Sequence, residues 1–119
     1  MAVVTASRSA LTWFLQRITG IMLVVFLFTH ISVNHLTLGE RIIDFSLVNS
    51  RLAGSVWWKI FYILFVPSCV FHAMNGLWGI FIDYRPSETL RILVTAVLWL
   101  LGLALTYFGA DTLINLFEA

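Results

Sequence analysis

The chain has 119 residues, 61% hydrophobic and only 11% charged, a balance far outside that of a soluble domain. Seven Lys and Arg against six Asp and Glu give a formal net charge of +1, with no basic cluster, which argues against a nucleic-acid partner. The single cysteine, Cys69, excludes an internal disulfide and leaves too few thiolates for an iron–sulfur cluster or zinc site, and no phosphate loop or G-x-G-x-x-G fingerprint occurs. Redox chemistry in such a chain rests on a cofactor held by histidine, or on a partner chain.

The first apolar run, about residues 11–36, is interrupted only by Gln16, Arg17, His30, Asn34 and His35. At ~1.5 Å per residue it is long enough to cross a ~30 Å hydrocarbon core, and it is too long for a signal peptide. Residues 39–55 mix Glu40, Arg41, Asp44 and Arg51 with Ile, Leu and Phe, the composition of a loop carrying a short interfacial helix. A second span, about 56–82, opens on Trp57 and Trp58 at headgroup level, and Pro67 in its middle is expected to kink it. "DYRPSET" then reads as a turn, with Pro86 stopping one helix and Ser87 or Thr89 capping the next. The third span, about 90–117, is almost purely apolar until Asp111. The reading is an all-α, single-domain membrane protein of three transmembrane helices, with its termini on opposite faces. Arg8, Arg17, Arg85 and Arg91 on one side, against Arg41, Arg51 and Lys59 on the other, place the N-terminus in the cytoplasm.

Three helices of this size enclose no buried site of their own, so their faces need a partner. Ionisable groups inside a membrane are expensive and by default mark a cofactor, a pathway or an interhelical contact. Downstream of His72, Gly76, Gly79 and Asp83 share its helix face at i+4, i+7 and i+11. Such glycines serve close helix packing, or a slot in which a flat macrocycle lies on the backbone with its iron on His72; both can hold at once. In "FTHISVNH", residues 28–35, His30 and His35 are five apart, ~140° around an α-helix, and cannot present to the same partner. His30 lies thirteen residues, ~20 Å of rise, beyond Arg17 and well inside the core. It is the favoured ligand, with His35 an interfacial polar group.

"FHAMNGLWGIFIDYRP", residues 71–86, resembles the second helix and following turn of the small hydrophobic anchor subunit of succinate dehydrogenase, complex II. The shared features are His-Ala, the glycine four residues after the histidine, and Asp-Tyr eleven and twelve after it. "WFLQRITGIML", residues 13–23, is similar to that family's first helix, where a tryptophan precedes Gln-Arg-x-Thr. The resemblance covers essentially the whole chain. It implies a haem-binding helical bundle formed with a second hydrophobic anchor subunit, and iron–sulfur and flavoprotein subunits carrying the dicarboxylate chemistry, at the inner (cytoplasmic) membrane. It further implies that His72 is an axial ligand of haem b, that Tyr84 hydrogen-bonds a quinone carbonyl, that Asp83 holds a neighbouring arginine in that site, and that Arg17 lies near the haem propionates and the quinone. "FTHISVNH" is similar to the first helix of two-haem anchors, which makes His30 the ligand of a second haem. A single haem clamped between His30 and His72 is the alternative. A fumarate reductase anchor shares the design, and the rival from a different class is a non-redox scaffold or assembly protein.

Overall fold

A computed structural model describes residues 10–36 and 44–118, with side chains through residue 115. Among the described residues every element is helical: α1 (Ala10–Ile31), continued by one π turn (Ser32–Leu36), α2 (Phe45–Ala53), α3 (Val56–Asp83) and α4 (Glu88–Glu118). Three stretches, Ala10–Leu36, Val56–Asp83 and Glu88–Asn115, are long and apolar enough to cross a membrane. The chain is an all-α, multi-pass membrane protein, as the hydropathy pattern predicts. Helix α4 starts slightly earlier than expected because Ser87 caps it: its Oγ accepts from the Leu90 N–H at 3.4 Å and its carbonyl from the Arg91 N–H at 3.0 Å. Helix α3 continues through Pro67 as one element.

The short helix expected within 39–55 is α2, while Glu40 and Arg41 lie outside the described residues. Asp44 starts it, its Oδ1 accepting from the Ser46 hydroxyl at 2.7 Å and the Leu47 N–H at 2.8 Å. The Ser46 hydroxyl, and after it the Leu47 N–H, hold this carboxyl below its ordinary range. Helix α2 lies across α3 and α4, with Leu52 1% exposed beneath it.

Helix α3 is central, packing against α1 on one side and α4 on the other. The helices alternate in direction, so the start of α1, the end of α3 and the start of α4 share one end. Large apolar side chains such as Val24, Phe28 and Trp99 point outward, whereas Thr19, Asn34 and Gly79 are buried. Lipid tails solvate apolar side chains as well as a neighbouring helix does, so in a bilayer small and polar residues decide which faces meet. At Gly109 a β-carbon would sit 2.6 Å from Val66 Cγ1, so this glycine permits the close approach of α3 and α4.

Leu52→Ala should weaken the docking of α2 by about 2–5 kcal/mol, the usual cost of emptying a fully buried leucine site. Hydrogen exchange in α2 should then rise while the three spans stay protected, and unchanged protection of α2 would show that Leu52 does not hold it.

Candidate functional site

Helix α1 presents Gln16, Thr19 and Gly20, and α3 presents His72, Asn75 and Gly76, each set at i, i+3 and i+4 and so on one face. The two faces meet. His72 Nδ1 lies 3.2 Å from the Gln16 carbonyl oxygen and 3.2 Å from Thr19 Oγ1. A carbonyl only accepts, so the ring proton is assigned to Nδ1. Thr19 donates its own proton to the Leu15 carbonyl at 2.7 Å, which leaves its oxygen as a second acceptor. The lone pair is therefore on Nε2, where the contact is the Gln16 amide nitrogen at a long 3.5 Å. That amide is itself held at both ends: its nitrogen donates to the His72 carbonyl at 3.2 Å and its oxygen accepts from Asn75 at 2.8 Å.

The glycines are explained by the same seam. A β-carbon on Gly20 would lie 3.1 Å from His72 Cε1, and one on Gly76 would lie 3.3 Å from Gln16 Nε2. Within this chain Gly76 is packed on Gln16 and Gly79 is buried, so on this face the glycines serve close packing.

A second polar cluster forms at the other end, under α2. His30 Nδ1 is 3.0 Å from Tyr62 Oη and 3.1 Å from Asn34 Nδ2, and its ring sits against those of Tyr62 and Phe65. Arg51 of α2 donates to Asn34 Oδ1 at 2.6 Å and lies over the Trp58 ring. His30, Asn34, Tyr62, Val48, Leu52 and Leu113 line a cavity of about 220 Å³. His35 lines it as well, which corrects the α-helical expectation that the two histidines face apart. The π turn is the reason: its i→i+5 bonding winds the chain more widely and brings residues five apart toward one side.

His72 is level with Gln16 and Thr19, whereas His30 is level with Tyr62, ten residues or ~15 Å away along α3. Two rings cannot share one macrocycle across that distance, so a single haem clamped between them does not fit the fold. At the first end, Asp83 and Tyr84 close α3 and are exposed, Tyr84 by 82%. Arg17 points away from the seam and stacks on Trp13 at 4.4 Å; among the described residues no ion pair joins it to Asp83. Arg85 turns the chain there with φ 50°, directly before Pro86. A larger cavity of about 380 Å³ lies between α3 and α4, lined mainly by apolar groups including Phe71, Met74, Trp78 and Trp99, and neither histidine borders it.

A model of the succinate dehydrogenase/fumarate reductase transmembrane subunit matches residues 2–110. The chain belongs to this family. Proteins named succinate dehydrogenase hydrophobic membrane anchor subunit are among its relatives. The one from Thermoplasma acidophilum is 37% identical over 66% of this chain and 63% of its own length, so the match spans less than two thirds of that relative. Those from Archaeoglobus fulgidus and Coxiella burnetii are 28% and 27% identical, over 89% of both chains for the first and over 82% of this chain and 81% of the relative for the second. No solved structure matches.

Within this family member, the side chains that position the histidines are ones that hydropathy passes over: Gln16, Thr19 and Asn75 around His72, and Tyr62, Asn34 and Arg51 around His30. The first set carries a readable signal, a polar i, i+3 pair with a glycine at i+4 on each of two apolar helices. Gln16→Leu should weaken the association of α1 with α3 by about 1 kcal/mol, the scale of an interhelical hydrogen bond in a bilayer. Steric-trap or unfolding measurements on the membrane-embedded protein check this, and stability unchanged in that variant would mean that the amide does not bind the helices together.

Proposed function

We propose that the chain is the membrane anchor of a succinate:quinone oxidoreductase, binding haem b through His72 and contributing Tyr84 to a quinone site. Its partners are a second hydrophobic anchor subunit, an iron–sulfur subunit and a flavoprotein subunit, and dicarboxylate oxidation belongs to the soluble ones. The observation that carries the reading is the state of His72: an imidazole half-buried in an apolar span, its Nδ1 proton directed to a backbone carbonyl and its lone pair on Nε2. Metal-bound histidines are held in this way, because the second bond fixes the ring and raises the basicity of the ligating nitrogen. Family membership and the printed names of the relatives support it independently.

Haem b, when bound, supplies a one-electron centre inside the membrane. His30 as ligand of a second haem rests on the resemblance of its stretch to two-haem anchors; its Nδ1 is faced by the Asn34 amide nitrogen at 3.1 Å and the Tyr62 hydroxyl at 3.0 Å, so it lacks the acceptor that fixes the His72 tautomer. If both histidines held haem, the ~15 Å offset along α3 would require a separate macrocycle for each, and residues of the partner anchor would complete the sites. Arg17, exposed beside Trp13, can meet a haem propionate or the quinone site.

Reduction of a quinone takes two electrons and two protons, and negative charge develops on its carbonyl oxygens. Tyr84 can donate a hydrogen bond to one of them without burying a charge. Asp83, when ionised, only accepts; its role is to pair with an arginine of the site and set the local field. The exposure of Tyr84 fits a pocket whose remaining walls come from partner subunits. The N-terminus is cytoplasmic, which puts Tyr84 on the cytoplasmic face of the inner membrane, since the start of α1 and the end of α3 share one side.

The test compares two variants of the intact complex. His72→Ala should lose haem, seen as a weakened α band in the reduced-minus-oxidised spectrum, with the helices still inserted. Tyr84→Phe should keep its haem and its succinate oxidation with a soluble acceptor but reduce quinone roughly tenfold more slowly, as for a donor lost from a desolvated site. Full haem in the first variant or full quinone turnover in the second would overturn the corresponding assignment, and a wild-type complex without an α band would favour a scaffold.

A further inference from the structure

Threonines in the apolar spans back-bond to their own helix: Thr29, Thr95, Thr106 and Thr112 each donate the hydroxyl proton to the carbonyl four residues back, at 2.7–2.8 Å. Thr19 does the same, to Leu15 at 2.7 Å, but its oxygen also lies 3.2 Å from the proton-bearing Nδ1 of His72. Two bonds therefore run in series, from the imidazole N–H to the hydroxyl oxygen and from the hydroxyl proton to a carbonyl. Donation to Leu15 polarises the hydroxyl and makes its oxygen a better acceptor. Thr19 is 9% exposed, so water does not stand in for it. Gly20 brings the ring within reach, since a β-carbon there would lie 3.1 Å from His72 Cε1.

We infer that Thr19 is a positioning residue that sets the orientation and basicity of the His72 ring. This rests on the reading of His72 as a haem ligand. The Gln16 carbonyl, 3.2 Å from Nδ1, fixes which nitrogen carries the proton, but a lone acceptor would let the ring pivot on that bond. The Thr19 oxygen, three residues along α1, restricts the pivot. Each acceptor also draws the Nδ1 proton away from the ring and raises the electron density at Nε2. A more basic axial ligand favours ferric over ferrous iron, so Thr19 lowers the reduction potential of the haem that His72 holds. The Gln16 acceptor is backbone and the same for any residue there, whereas the Thr19 acceptor is a side chain that substitution can remove.

The test is a redox titration of the intact complex followed optically, with haem per flavin measured alongside. Thr19→Val keeps the shape and removes the acceptor, and should raise the midpoint potential of one haem with haem content retained. Thr19→Ser keeps the hydroxyl and should leave that potential at the wild-type value. An unchanged potential in Thr19→Val, an equal rise in both variants, or haem lost from Thr19→Val overturns the inference, because a contact that only packs helices would not separate the two substitutions by potential. A second measurement needs no haem. In the full chain reconstituted in lipid, Thr19→Val should move the His72 Nδ1 proton resonance to lower frequency, and an unmoved resonance equally overturns the inference. His72→Ala separates this from the reading beneath it. Haem per flavin that falls in His72→Ala supports the ligand assignment, so an unshifted potential in Thr19→Val then counts against Thr19 alone. Unchanged haem per flavin in His72→Ala overturns both.

Discussion

The structure depends on one constraint: in a bilayer, two apolar helices gain nothing from each other that lipid does not already supply. Association of α1 with α3 must come from groups that lipid cannot satisfy. The seam of Gln16, Thr19 and Gly20 against His72, Asn75 and Gly76 meets that requirement with hydrogen bonds of 2.8–3.2 Å and two glycines that allow the backbones to approach. The same bonds that join the helices also fix an imidazole. Glue and ligand support are therefore one set of contacts, and a substitution that loosens one loosens the other.

The second end of the bundle repeats this logic with different parts. There the ring is His30, the contact on α3 is Tyr62, and the anchor is a cation, Arg51, brought in by the interfacial helix. Asp44 starts that helix and Leu52 seals it onto α3 and α4. The rings are gripped through Nδ1 in both clusters, and rise along α3 separates them by ~15 Å. What differs is the sign of the surroundings. His72 is held by neutral acceptors, whereas His30 has a donor amide backed by a positive charge.

The spans were legible in the sequence because membrane crossing needs only length and apolar content, and residues 11–36, 56–82 and 90–117 supply both. Ser87 was legible as one of two candidate caps, with Thr89, and the close-packing role read for the glycines downstream of His72 is the one that Gly76 plays against Gln16. The π turn was not legible: nothing in "ISVNHL" departs from α-helical composition, and the 100° step per residue therefore set His35 apart from His30. Gln16 and Asn75 were missed as supports of His72 because hydropathy records them as isolated interruptions, and their meaning appears only when two helices are laid face to face. Tyr84, Asp83 and Arg17 carry their meaning through resemblance to the family, since the fold of this chain leaves them at its edge and joins none of them to the histidines.

The claim on which the account turns is that the fold of this chain alone fixes His72 with its proton on Nδ1 and its lone pair on Nε2. Nitrogen-15 solid-state nuclear magnetic resonance of the haem-free chain, labelled at histidine and reconstituted in lipid, reads this directly, with His72→Gln used to assign the signal. The account predicts a neutral His72 ring with a protonated Nδ1, an unprotonated Nε2, and a dipolar contact between the ring and the carbonyl carbon of Gln16. A His72 ring protonated on Nε2, or one averaging between tautomers with no contact to Gln16, would contradict it.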